Sequence, residues 1–136
     1  MAEGQHRVLL VDDEPVIIKV IGKGLQAAGY EVLTTMDGED AMTKVHLGHP
    51  DVSILDLMLP KKSGFEVCAA LKTDPRFQRI SVSIFTGKGQ EMDETLCREL
   101  GANAHITKPH ASKALIEQIE ALLAHVLPDQ PSRDPS

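Results

Sequence analysis

Short apolar runs alternate with stretches of helical periodicity along this chain, and the alternation repeats five times. The runs are Val8–Val11, Glu31–Thr35, Val52–Leu55, Val82–Phe85 and His105–Thr107. The first, third and fourth are almost continuously apolar or small, as in strands covered by helices on both faces. Glu31–Thr35 alternates more and suits a sheet edge. His105–Thr107 is short and flanked by polar residues, so its strand signal is the weakest of the five.

The stretches between the runs carry helix signals. The first opens at Glu14-Pro15, with proline at a first-turn position, repeats apolar residues at Ile17, Val20, Ile21 and Ala28, and stops at Gly29. The second runs from about Gly38 to Gly48, with Ala41 and Val45 on one face. Ser63 and Glu66 have capping-box spacing ahead of Val67 and Leu71, and Asp74-Pro75 ends that third helix. A fourth holds Met92, Leu96 and Leu100 and stops at Gly101. The fifth, with Ser112 at the cap position, shows the stripe Leu115, Ile116, Ile119, Leu122, Leu123 and Val126. Five strands alternating with five helices predict an α/β sandwich around a parallel sheet, because right-handed crossovers put helices on both faces.

The length of 136 residues suits one domain with one core. The expected division is a flexible N-terminus over 1–6, a domain over 7–127, and a tail over 128–136 that is disordered or begins a linker. With 42% hydrophobic and 25% charged residues the chain reads as globular. No apolar run approaches the ~20 residues needed to cross a bilayer, and the polar first residues lack a secretory signal, so a cytoplasmic location is expected. Cys68 and Cys97 fall on apolar helix positions outside any CxxC arrangement and read as buried reduced thiols. A net charge of −6, no Trp and one Tyr argue against direct nucleic-acid contact.

Reactive side chains stand just past four of the five runs. The first run ends in Asp12-Asp13-Glu14, the third in Asp56, the fourth in Thr86-Gly87 and the fifth in Lys108-Pro109. Ligands of open parallel sheets bind outside the carboxyl ends of the strands, so these groups should face one pocket. Close carboxylates repel and need a cation to stay ionised. Hard oxygen ligands suit Mg²⁺, with Mn²⁺ as an alternative. A metal on Asp13 and Asp56 would orient a phosphoryl group toward Asp56. Lys108 would bind a second phosphoryl oxygen, and the Thr86 hydroxyl with the Gly87 N–H a third. Each element alone has a bland reading as a capped turn or solvated loop; their joint occurrence points to phosphoryl transfer, which needs positioning and charge neutralisation.

The motifs Val11-Asp12-Asp13-Glu14-Pro15, Leu55-Asp56-Leu57-Met58-Leu59-Pro60 with Gly64, Phe85-Thr86-Gly87 and Thr107-Lys108-Pro109 resemble those of response-regulator receiver domains. The resemblance runs from about Arg7 to Val126. It implies a flavodoxin-like (βα)5 fold with strand order 2-1-3-4-5 and Asp56 as phosphoacceptor. It also implies Asp13 as a direct Mg²⁺ ligand, Asp12 holding the metal's waters, and Met58 lending its backbone carbonyl. Thr86 and Lys108 would contact the phosphoryl group, and Lys108-Pro109 would be a cis peptide. The phosphodonor would be a histidine kinase or a histidine phosphotransfer protein. Output would pass through the face of the fourth strand, fourth helix and fifth strand to an effector protein or a C-terminal output domain. Two positions depart from the family: His105 stands where an aromatic switch residue is usual, and His110 where Phe is common. An imidazole at 105 either makes the output pH-sensitive or stays exposed in both states and merely fills a surface position.

Other residues carry bland readings beside sharper ones. The remaining histidines, among them His6, His46, His49 and His125, read as surface residues. Lys61-Lys62 reads as a solvated loop pair or as an attraction for the phosphodonor. Lys88 and Met58 occupy positions that, by the resemblance, govern water access to a phosphoaspartate, and Ile18 lies where receivers meet phosphodonor helices. A Mg²⁺-dependent phosphohydrolase would want an Asp where Met58 stands. A flavin-binding reading lacks a phosphate loop after the first strand. A degenerate scaffold is hard to reconcile with an intact set of acids, Thr86 and Lys108.

Overall fold

A computed structural model of the chain describes residues 6–57, 59–86, 98–99, 101–107 and 112–126, with side chains left aside at 86, 105–107, 112–114 and 124–126. Five strands, β1 (Arg7–Val11), β2 (Glu31–Thr35), β3 (Val52–Asp56), β4 (Ser81–Thr86) and β5 (Ala104–Thr107), form one parallel sheet in the order β2-β1-β3-β4-β5. Helices α1 (Pro15–Ala27), α2 (Gly38–Gly48), α3 (Gly64–Thr73) and α4 (Ser112–Val126) accompany it. This is the flavodoxin-like order. The fourth helix expected around Met92, Leu96 and Leu100 lies outside the described residues, as does Cys97.

Alternation along the central strands divides the core into two layers. Leu9, Val11, Leu55, Val82 and Ile84 face α2 and α3, packing with Ala41, Val45, Val67, Cys68 and Leu71. Val8, Leu10, Val52, Ile54 and Phe85 face α1 and α4, packing with Ile21, Leu25, Leu115, Ile119 and Leu123. β3 is buried at every position whereas β2 is mostly half-exposed, so continuous hydrophobicity marks the middle of the sheet and alternation its edge.

The helix starts follow local chemistry. Ser63 Oγ accepts the Glu66 N–H at 3.2 Å while Glu66 Oε1 accepts the Ser63 N–H at 2.8 Å, the reciprocal box expected from their spacing. Asp37 caps α2, accepting the Asp40 N–H at 2.7 Å. α1 begins at Pro15 without a side-chain cap. Each start follows the carboxyl end of a strand and therefore borders the same edge of the sheet.

Candidate functional site

Parallel register places the acids. Val11 pairs with Leu55 across β1 and β3, so the next residue of each strand, Asp12 and Asp56, emerges side by side. With Asp13 they form a group in which one carboxylate oxygen of each residue lies within 4.8 Å of the others. Asp12 is fully buried and Asp56 is 4% exposed, while Asp13 faces solvent. Asp12 Oδ1 accepts the Glu14 N–H at 2.9 Å, which folds the chain sharply into α1. The Asp12 N–H in turn donates to the Thr35 carbonyl at 3.2 Å, extending the β1–β2 ladder to the rim of the site.

Close backbone approach shapes the floor. A Cβ on Gly64 would sit 2.2 Å from the Asp56 carbonyl oxygen, so only glycine lets α3 start against the end of β3. The Gly64 N–H donates to the Leu57 carbonyl at 3.0 Å. Gly38, at the start of α2, lies equally close to the loop after β3, where a Cβ would meet the Lys62 carbonyl oxygen at 1.8 Å. Two helix starts are therefore clamped around the loop that leaves Asp56.

Of the residues singled out from sequence, the structure brings Asp12, Asp13 and Asp56 together. Asp56 pairs with Phe85, and Thr86 with Thr107, so the backbone of β4 and β5 ends on the same edge. The backbone of His105 pairs with Ile84 in β5. The side chains of Thr86 and His105 lie outside the described residues, as do Met58, Gly87, Lys88, Lys108, Pro109 and His110. Sequence reading missed the clamp made by Gly38, whose signal was only a glycine at a helix start. It also missed the left-handed backbone of Lys61, φ 70, for which a lysine gives no signal at all.

The acids suit a hard divalent cation. Three carboxylates converge from two strand ends, two of them buried, and like charges this close are stabilised by a metal with oxygen ligands. Such a site can neutralise a phosphoryl group while leaving one carboxylate oxygen as nucleophile.

Comparison with known proteins points the same way. The family model described as the response regulator receiver domain matches residues 8–120. The alkaline phosphatase synthesis transcriptional regulatory protein PhoP of Bacillus subtilis is 37% identical over 117 residues, 86% of this chain and 48% of that protein. The chain thus spans about half the length of the curated relatives it matches. Among solved structures, the signal receiver domain of a signal transduction histidine kinase from Syntrophus aciditrophicus superposes with a TM-score of 0.83 at 28% identity, covering 92% of this chain and 95% of that one. The chemotaxis response regulator CheY4 of Vibrio cholerae gives 0.80 at 28% identity over 87% and 98% of the two chains.

Proposed function

The chain belongs to the response regulator receiver domain family, and from that premise we propose that Asp56 is its phosphoacceptor, with Asp12 and Asp13 holding the metal. A receiver domain takes up a phosphoryl group at an acidic Mg²⁺ site and catalyses only its own phosphorylation and hydrolysis. Bound Mg²⁺ supplies charge neutralisation for the phosphoryl oxygens. The observation that carries the residue roles is the convergence of the three carboxylates within 4.8 Å, with Asp56 alone contributed by β3.

In the proposed step a free carboxylate oxygen of Asp56 attacks phosphorus, an O–P bond forms, and the P–N bond of a ring-protonated phosphohistidine donor breaks, its electron pair staying on nitrogen so that the donor leaves as a neutral histidine. Burial of Asp56 limits water at the acyl phosphate. Asp13, exposed, is the acid that exchanges with solvent metal, and Asp12, tied to the Glu14 N–H, is the fixed one. Met58 through its carbonyl, and Thr86, Gly87 and Lys108 through contacts to the phosphoryl oxygens, complete the proposed site, with Thr86 and His105 as switch residues. The donor is a histidine kinase or a histidine phosphotransfer protein of a two-component system. The output face comprises β4, β5 and the segment between them, and the reader is an effector protein or an output domain. Among the described residues no helix is long and apolar enough to cross a membrane; we place the receiver unit at 7–127 and its work in the cytoplasm.

Intact-mass measurement with Mg²⁺ and acetyl phosphate tests the assignment. One phosphoryl group should add to the wild-type chain and none to Asp56→Asn or to chelated protein. Undiminished labelling of Asp56→Asn would move the acceptor elsewhere.

A further inference from the structure

We infer that Lys61 is a specificity-determining residue for the phosphodonor, a held cation in the loop that leaves Asp56 and one that speeds capture of small dianionic donors. The inference rests on the receiver reading above, and two independent observations carry it.

The first is backbone conformation. Lys61 has φ 70, and the Lys62 N–H donates to the Pro60 carbonyl at 2.7 Å, closing a three-residue turn around Lys61. Turns of this hand are rare and strained, and glycine or asparagine would adopt the conformation more readily than lysine. Strain beside a reactive site is a reason to ask what the strained side chain does. The turn is also buttressed: the Gly38 N–H donates to the same Pro60 carbonyl at 3.2 Å, and the Gly38 backbone is pressed against Lys62. Lys61 is thus held at its α-carbon with an exposed side chain, and among the described residues it joins no ion pair.

The second is charge. Segments 12–16, 36–40 and 56–66 bear eight acidic residues and two basic ones, Lys61 and Lys62, and Lys108 of the proposed site adds one more cation to this edge. That field repels a dianionic phosphodonor, and a divalent cation offsets only part of it. Lys62 is half-buried, its backbone close to Gly38 at the start of α2, whereas Lys61 is exposed. Capture of a small anion is sensitive to a single exposed cation in the loop beside the acids.

The test measures the second-order phosphorylation rate of the full chain by intact mass, at saturating Mg²⁺ and at low and high KCl. Acetyl phosphate serves as a doubly charged donor and phosphoramidate as a singly charged one. Lys61→Gln should lower the acetyl phosphate rate about threefold at low salt, and the gap should close at high salt. The effect on phosphoramidate should be smaller. Lys61→Arg should restore the rate, while Lys61→Gly, which removes the strain with the charge, should behave like Lys61→Gln. A wild-type rate for Lys61→Gln at low salt would overturn the inference. So would a loss independent of salt and donor charge, which would make Lys61 a purely structural residue. If the wild-type chain accepted no phosphoryl group from either donor, the receiver reading itself would fall, a result distinct from either of these.

Discussion

At the N-terminal edge of the sheet Asp51 is buried against a cation-bearing clasp, whereas at the C-terminal edge Asp12 and Asp56 are buried beside each other and Asp13. Asp51 Oδ2 accepts the Arg7 N–H at 2.8 Å and lies 3.4 Å from His6 Nδ1. The Arg7 guanidinium bonds the Gly48 carbonyl at the end of α2 and reaches Glu31 of β2 at 3.2 Å. The Asp51 backbone joins Arg7 on one side and Ser81 on the other. The Asp51 carboxylate thereby ties β3 to the start of β1, and its backbone carbonyl ties β3 to the start of β4. Burial of an acid therefore does not mark a binding site; what faces the carboxylate does. Where a backbone N–H and an imidazole face the carboxylate, the protein has completed the arrangement itself. Where other carboxylates surround it, a cation from solution completes it.

The largest effect that could break this contrast is on stability. Asp51→Ala should cost about 3 kcal/mol in urea unfolding, because the Arg7 N–H and the clasp around it lose their buried acceptor. Asp13→Asn in metal-free protein should instead be neutral or stabilising by up to about 1 kcal/mol, since it relieves like-charge crowding at a site kept for function. Equal losses in the two variants would mean that the edges do not differ as described.

Mg²⁺ should reverse the second result. At tenfold excess over its dissociation constant the metal should stabilise the wild-type chain by about 1.4 kcal/mol. Asp13→Asn should gain much less at the same concentration. Urea midpoints with and without Mg²⁺ read both numbers, and an equal gain in the variant would remove Asp13 from the metal site.

The two edges were also unequally legible in the sequence. Strand-end acids announce themselves because a parallel sheet sends every strand end to one place, so Asp12, Asp13 and Asp56 could be grouped without coordinates. Alternation marked Glu31–Thr35 as an edge strand, but the full strand order came with the family motifs, because periodicity does not say which strands are neighbours. The clasp at the other edge was invisible. His6 read as a surface residue, yet its side chain is only 14% exposed and lies against Asp51; the two stand 45 positions apart, Asp51 was not singled out, and nothing local says that they meet. His46 read as a surface residue and is exposed, yet its ring meets Phe77 edge-on at 4.9 Å. Backbone strain was equally hidden, because a lysine or a histidine at positive φ is forced by its surroundings and not chosen for the conformation.

That hidden strain supplies a smaller test, one residue on each edge. Lys61 at the C-terminal edge and His49, which ends α2 at the N-terminal edge with φ 47, are the described non-glycine residues at positive φ. Lys61→Gly should stabilise by about 0.5 kcal/mol, the relief of the left-handed backbone set against the greater freedom of unfolded glycine. His49→Gly should gain less, because its ring lies 6.5 Å from that of Phe77 and that packing is lost. Lys62→Gly, at a residue without positive φ, should destabilise and serves as the control.

The smallest effect concerns a second acid of the N-terminal edge, one that keeps its cation in solvent. Asp74, in the loop after α3, accepts from the Arg76 side chain at 2.7 and 3.1 Å and from the Arg76 N–H at 2.9 Å. The Arg76 side-chain bonds, then its backbone bond, push the Asp74 carboxyl down to about 2, with the nearby His46 adding a little. A folded-state value below the unfolded one means that the unfolded chain binds the proton more readily. The contribution is therefore present above the ordinary carboxylate range near pH ~4 and is lost as pH falls toward 2. Because the pair is exposed and screened, its size is small and salt-dependent. Asp74→Asn should unfold at slightly lower urea than wild type at neutral pH. The difference should hold down to about pH 4 and shrink below it. Added salt should shrink it at every pH. A difference that persisted undiminished into acid would mean that the Asp74 carboxylate charge is not what Arg76 uses. The exposed pair would then be a matter of hydrogen-bonded shape, and the contrast between solvent-facing and buried acids at this edge would have to rest on Asp51 alone.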